Sequence, residues 1–381
     1  MAEAPNIIVN DQIRRQVMLE GVKKTEAKKF EKYLVIIERQ IRQKLIAEGL
    51  TIRNKTRLAA ILADIKRINK EQFEGWVAEL VENLGDVAIT ESDLEVNLLN
   101  KSIPDFEAVL PAEVQILSAF KQNALSLRGK SQGLTLEPFL QQYTADQKQL
   151  IEGLISQGFQ EGKTTQQIIQ DLRGTKALNF QDGILDKVNR NTEIMVRTAV
   201  QNASAQAKQA IWEANSDVVQ GVEWVSTLDS RTTSQCRSLD AQVFPVDSGP
   251  RPPIHYGCRS TTAPAIDPRF DFLKEGETRP AIGEDASGTN DRGVVKNQTY
   301  YEWLKTQPAQ FQDKVLGGTR GALFRNGGLN ADQFSALQLN SNFLPMTLEE
   351  MASEAPEAFS QANLLNPDGS VKIVSHNVQP N

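Results

Sequence analysis

The stretch WVSTLDSRTTSQCRSLDAQVFPVDSGPRPPIHYGCRSTTAP, Trp224–Pro264, decides how the rest of the chain is read. It holds both cysteines of the protein, Cys236 and Cys258, and His255, one of its two histidines. Pro245, Pro250, Pro252, Pro253 and Pro264, with Gly249 and Gly257, interrupt it too often for a long helix, because each proline removes a backbone donor and fixes φ. β-Branched and aromatic residues mark the flanks: Val222, Trp224 and Val225 within Val219–Thr227, and Val243-Phe244 ahead of a proline turn. The stretch is therefore predicted to be a compact antiparallel hairpin module, rich in Pro and Gly and closed by its own turns. Upstream, Ile184, Val188, Met195, Ala199, Ala203, Ala207, Ile211 and Trp212 recur at helical spacing and predict one long helix over about 182–215. Its alanine-rich stripe lets neighbours pack close, which predicts a central position, with Trp224 seated against the Ala203, Ala207 and Ile211 side.

Cys236, His255 and Cys258 admit three chemistries. Thiolate and imidazole are zinc ligands, and the two-residue gap from His255 to Cys258 is that of a chelating turn. A structural zinc takes four protein ligands, so Asp240 or Asp247 would have to complete this one. A Cys236–Cys258 disulfide requires an oxidising compartment, which nothing else in the chain suggests. The plainest reading is two small thiols packed in a tight module, with His255 in a backbone hydrogen bond. A nucleophilic Cys–His pair would need an orienting group and an oxyanion donor, and the sequence names neither.

Several pieces follow one another in order: Arg197-Thr198 on the long helix, the Trp224 strand, Asp229-Ser230-Arg231-Thr232, Cys236, Leu239-Asp240, and PPIHYGCR over Pro252–Arg259. Over Val196–Ala265 this order resembles the minor head protein family of tailed bacteriophages, the Mu F-like or head morphogenesis family. The chain departs from that family's pattern at Thr233, where many relatives have a cysteine, and at Ser260, which replaces the last residue of Cys-Arg-Cys. It departs again at Tyr256, in place of proline, and at Ala199, in place of glutamate. Thr299–Leu323 (TYYEWLKTQPAQFQDKVLGGTRGAL) resembles a motif found beyond this domain in phage relatives.

The resemblance implies a structural virion protein near the portal vertex, assembled in the host cytoplasm, and not an enzyme. It implies the phage portal protein and other head proteins as partners, with a role in head assembly, DNA packaging or delivery. Arg197, Trp224, Asp229, Arg231, Asp240, Pro253 and Arg259 are its motif residues. The rival reading, a transferase or nuclease-like enzyme, requires Arg197, Asp229, Arg231, Cys236 and His255 to converge on one concave site.

A chain of 381 residues, 24% charged with a formal net of −6, is long enough for two or three packed units and has no bulk positive charge for nucleic acid. The charge is uneven, however. The first sixty residues hold thirteen Lys and Arg against seven Asp and Glu. Lys23, Lys24, Lys28 and Lys29 are the candidates for contact with DNA phosphates, and a solvated helix face interleaved with Glu26, Glu31 and Glu38 is the alternative. No apolar run approaches bilayer-spanning length, and no basic start followed by an apolar segment opens the sequence, so no membrane partner or cleaved leader is expected.

The expected fold is mainly α with a small antiparallel β module (α+β). A helical region with the basic first arm covers 1–175, the head-morphogenesis domain 176–268, and a linker rich in Gly, Pro and charge 269–298. A helical region with an extended tail carrying His376 covers 299–381. Leu34, Ile37, Ile41 and Leu45 predict a first helix up to Glu48, ended by Gly49, with Thr51 capping the next. That next run is predicted to stop at Gly85, to restart from a cap within Thr90–Asp93, and to be followed by helices opened by Pro104 and spanning Val109–Leu127. Thr164, Thr299 and Thr347 read as N-caps, the last in a capping box with Glu350.

Overall fold

The computed structural model describes residues 8–48, 55–129, 131–269, 278–285, 287–296 and 298–375. The Gly49 and Thr51 boundary and His376 lie outside the described residues. Helix α1 (Ile8–Glu48) and helix α2 (Lys55–Ser102) run in opposite directions, as the ion pairs Lys44–Asp64, Lys32–Glu79 and Arg15–Glu95 require. The predicted stripe of α1 is buried, and Phe30 packs on Phe73 and Trp76 of α2 with ring centroids 5.4 and 4.6 Å away. Helices α3 (Glu113–Gln122), α4 (Leu136–Gln160) and α5 (Thr165–Arg173) close the bundle around α6 (Ile184–Ala214). Every residue of α6 from Thr198 to Gln209 is buried. Its alanines do place it at the centre, because short side chains allow helices on several sides to approach at once.

Two helix boundaries differ from the sequence reading. Helix α2 passes through Gly85 without a break, and Ala88, Ser92, Glu95, Leu98 and Leu99 beyond it are buried. A Cβ at Gly85 would lie 3.3 Å from Leu117 Cδ2, so this glycine serves a close approach of α3 rather than a stop. Ser92 does not cap anything; its hydroxyl donates to Ala88 O one turn back, 2.9 Å away. Pro104 lies in the turn after α2, beside Asp105 at φ 54°, and α3 occupies only the middle of the span predicted for it.

The β module is a three-stranded sheet with β1 (Val219–Val225) in the middle, flanked by β3 (Val243–Phe244) and β4 (Thr261–Ile266), both antiparallel to it. Between β1 and β3 lie the short β2 (Leu228–Asp229) and helix α7 (Ser234–Leu239). The register sets Val222 opposite Phe244 and Trp224 opposite Thr262.

The segment expected as a linker is partly a second sheet. β5 (Thr278–Glu284) and β6 (Asn290–Lys296) form an antiparallel hairpin, and β5 pairs in parallel with β2. Its sequence hides this because β6 faces solvent and the inward positions of β5 include an arginine, Arg279. Beyond it, α8 (Tyr300–Lys305), α9 (Ala309–Leu316), α10 (Gly318–Asn326), α11 (Ala331–Ala336), α12 (Leu348–Glu354) and α13 (Pro356–Gln361) enclose an aromatic core. Tyr300, Tyr301, Trp303, Phe311, Phe324, Phe334 and Phe359 form it. The tail is not simply extended: Leu365 and Val371 form an antiparallel bridge across a turn. No helix among the described residues is long and apolar enough to cross a membrane.

Candidate functional site

Cys236, His255 and Cys258 come together in the interior, on two separately anchored pieces of chain. Thr233 begins the first piece: its hydroxyl accepts from Cys236 N, 3.4 Å away, and so caps α7 and fixes the turn that presents Cys236. The second piece is the proline-rich loop from Pro245 to Ser260. Buried Arg251 holds its base by donating to Pro245 O, Val246 O and Gln209 Oε1 at 2.7, 3.0 and 2.8 Å. Gly249 is at φ 92°, and a Cβ there would lie 2.8 Å from the Phe244 side chain, so only glycine fits. At the tip, Gly257 N donates to Thr198 Oγ1 on α6 and Cys258 N donates to His255 O, at 3.0 and 3.3 Å. Pro253 is buried in the approach to that tip.

The donor atoms are close. Cys236 Sγ is 3.1 Å from His255 Nε2 and 3.7 Å from Cys258 Sγ, and Thr233 Oγ1 is 2.9 Å from the same Nε2. On the far side of the ring, Nδ1 lies 2.9 Å from Tyr256 O. A carbonyl oxygen only accepts, so Nδ1 carries a proton, and Nε2 faces the sulfurs. Both cysteines are reduced and buried, so the disulfide reading does not describe this structure. Burial pushes the Cys236 thiol well up, while hydrogen bonding from Cys236 and the nearby His255 holds Cys258 well below the usual thiol range.

The two aspartates considered as further ligands are engaged elsewhere. Asp247 is exposed and accepts from Ser248 Oγ. Asp240 is buried and accepts four hydrogen bonds: from Ser226 N and Tyr300 N at 2.7 Å, and from Arg279 Nη1 and Nη2 at 2.8 and 2.9 Å. One carboxylate thereby joins the β module, the β5 strand and the start of α8. Asp229 makes the other brace, a two-point pair with Arg259 at 2.7 Å for each bond. Burial opposes its ionisation, but the guanidinium of Arg259 outweighs this and holds its carboxyl below the usual range.

Arg197 does not reach Asp229; it pairs with Glu193 and Glu20 of the helices, at 2.8 and 3.0 Å. Arg231 is 74% exposed and only grazes Asp229 at 3.6 Å. The convergence of Arg197, Asp229, Arg231, Cys236 and His255 that the enzyme reading needs is thus not formed. Trp224 does not lie on the alanine stripe of α6 either; it packs with Cys236, Leu239, Ile254 and Cys258, and its indole N–H donates to Ser226 Oγ at 3.0 Å. Lys23, a candidate for DNA contact, is fully buried and donates to Glu20, Gln201 and Cys258 O, at 2.6, 2.6 and 3.4 Å. Lys24 and Lys28 are exposed, and Lys29 pairs with Glu26. Sequence reasoning missed Arg251, Arg279 and Tyr300; Gln209 lies 42 residues from Arg251, Asp240 lies 39 from Arg279 and 60 from Tyr300, and no local pattern signals these pairs.

The arrangement is a thiol–imidazole cluster, both cysteines buried, with charged braces around it. Residues 149–263, from within α4 to within β4, match the family described as phage Mu protein F like protein, so this part of the chain is similar to that family. The match includes Arg197, Trp224, Cys236, His255 and Cys258 and ends before Arg279 and Tyr300. No curated protein and no solved structure matches the chain.

Proposed function

We propose that the chain is a structural minor head protein of a tailed bacteriophage, acting at the portal vertex in head assembly, DNA packaging or delivery. The observation that carries this reading is the family match over the very residues that form the closed, braced module. Portal protein and other head proteins are its partners in this reading. Quantitative mass spectrometry of purified heads, with portal-deficient heads beside them, is the test. The chain is expected in intact heads at a fixed ratio to portal and to be lost with the portal; heads that lack it altogether would sink the proposal.

Packaged DNA is a second partner, and the structure limits what α1 can contribute to it. Lys23 is buried, and Lys29, Lys32, Arg42 and Lys44 pair with Glu26, Glu79, Glu38 and Asp64. Of the four candidate lysines, exposed Lys24 and Lys28 remain as phosphate contacts. Two phosphates give a slope of roughly −1.8 in log K against log salt, at about −0.9 per phosphate. Fluorescence anisotropy with the full chain and duplex DNA is expected to show weak binding with a slope no steeper than that. A much steeper slope would mean a larger basic surface is engaged.

A further inference from the structure

We propose that Cys236, His255 and Cys258 are three ligands of one zinc ion, whose fourth position is taken by a water beside Thr233. The inference stands on the geometry of the cluster and is independent of the role in the head.

The separation of the two sulfurs is the one that a shared ion imposes. Two thiolates about 2.3 Å from one zinc in tetrahedral arrangement sit roughly 3.8 Å apart, and an imidazole nitrogen at about 2.0 Å sits roughly 3.6 Å from each sulfur. The sulfurs are 3.7 Å apart, and all three donor atoms lie within 4.8 Å of one another. The nitrogen, 3.1 Å from Cys236 Sγ, needs to open by only a few tenths of an ångström. Packed thiols explain burial, and an ion explains in addition why both sulfurs and the imidazole nitrogen gather within 4.8 Å of one another.

The imidazole is also held as a metal ligand is held. Tyr256 O accepts from Nδ1, which fixes the tautomer and ring orientation that leave Nε2 free to bind. A disulfide would instead require the sulfurs to close from 3.7 Å to about 2.05 Å and would give Nε2 no partner of its kind.

Charge favours the ion as well. Two thiolates and a neutral imidazole sum with a divalent cation to zero, which suits a site where both cysteines are buried. Binding therefore requires both sulfurs as thiolates. Among the described residues no fourth Cys, His, Asp or Glu joins the cluster. His255 and Thr233 are its half-buried members, so water reaches the ion from their side, and the Thr233 hydroxyl is placed to hold it. Soft sulfur and imidazole donors select zinc over magnesium or calcium. The ion would tie α7 to the proline-rich loop, two pieces with no other covalent or metal cross-link among the described residues.

The test uses the full-length protein expressed in zinc-replete medium. Elemental analysis after desalting is expected to find one zinc per chain. After chelation, refilling with cobalt is expected to produce the visible bands and the thiolate charge-transfer absorption of a tetrahedral site. Cys258→Ser should lower zinc affinity by at least the roughly 10–100-fold that loss of a second-shell partner alone costs. Asp247→Asn should leave affinity unchanged. Substoichiometric zinc with no cobalt charge-transfer band in the wild type would overturn the proposal even if the cysteine variant fails to fold. Full zinc retention in a folded Cys236→Ser/Cys258→Ser variant would overturn it equally.

Discussion

Asp240→Ala is expected to remove about 3–5 kcal/mol of stability, because it strands the buried Arg279 guanidinium without its counter-ion. The carboxylate also accepts from Ser226 N and Tyr300 N, so its loss leaves two backbone donors unsatisfied in the interior. The damage should be directional. Asp240 is where the module, β5 and the first turn of α8 meet, so the aromatic unit around Tyr300 and Trp303 should loosen before the helical bundle does. Urea unfolding gives the magnitude, and limited proteolysis gives the place, with early cleavage expected around 285–298. Asp240→Asn keeps the shape but sets an amide group against donors, so it should recover only part of the loss. A full-strength Asp240→Ala protein with unchanged proteolysis would mean that Arg279 finds water instead.

Features set by a few adjacent residues were legible in the sequence. Thr164, Thr299 and Thr347 each cap a helix, and each closes a capping box with the residue three positions on. The stripe of α1 and the alanines of α6 were legible because burial on one helix face repeats every three or four residues. What failed was set by distant partners. Gly85 looked like a stop because the side chain that makes glycine useful there, Leu117, belongs to another helix. β5 looked like a linker because one of its inward positions is Arg279, whose buried partner is 39 residues away. Within the site, the three metal-type residues were legible from their rarity and spacing, but the bracing was not. Arg259 lies next to Cys258 in the sequence, yet its claim on Asp229 over Arg197 is decided by which helix faces which, and α6 turns Arg197 toward Glu20.

Trp224→Ala is expected to cost about 3–5 kcal/mol, the usual range for emptying a fully buried aromatic site. The sequence could not say which way the indole points, because β1 is buried on both faces and shows no alternation to read. Val222 and Val225 fill the layer with Ile211 and Trp212, while Trp224 fills the small cluster that contains both cysteines. That cluster has few other large side chains, so the cavity has little to collapse it. The truncation also strips Ser226 Oγ of the indole donor. Packing and the proposed metal are separate contributions, and a chelator separates them in the laboratory. With metal removed, His255→Ala should lose only the ~0.5–1.5 kcal/mol of a hydrogen bond, while Trp224→Ala should keep nearly its whole cost. With metal present, His255→Ala should become much more costly, since a ligand's share of the binding free energy is lost from the folded state. Thermal melts of both variants, with and without chelator, give all four values. Equal costs for His255→Ala under the two conditions would leave packing as the sole bond between α7 and the loop, and Trp224 as its chief member.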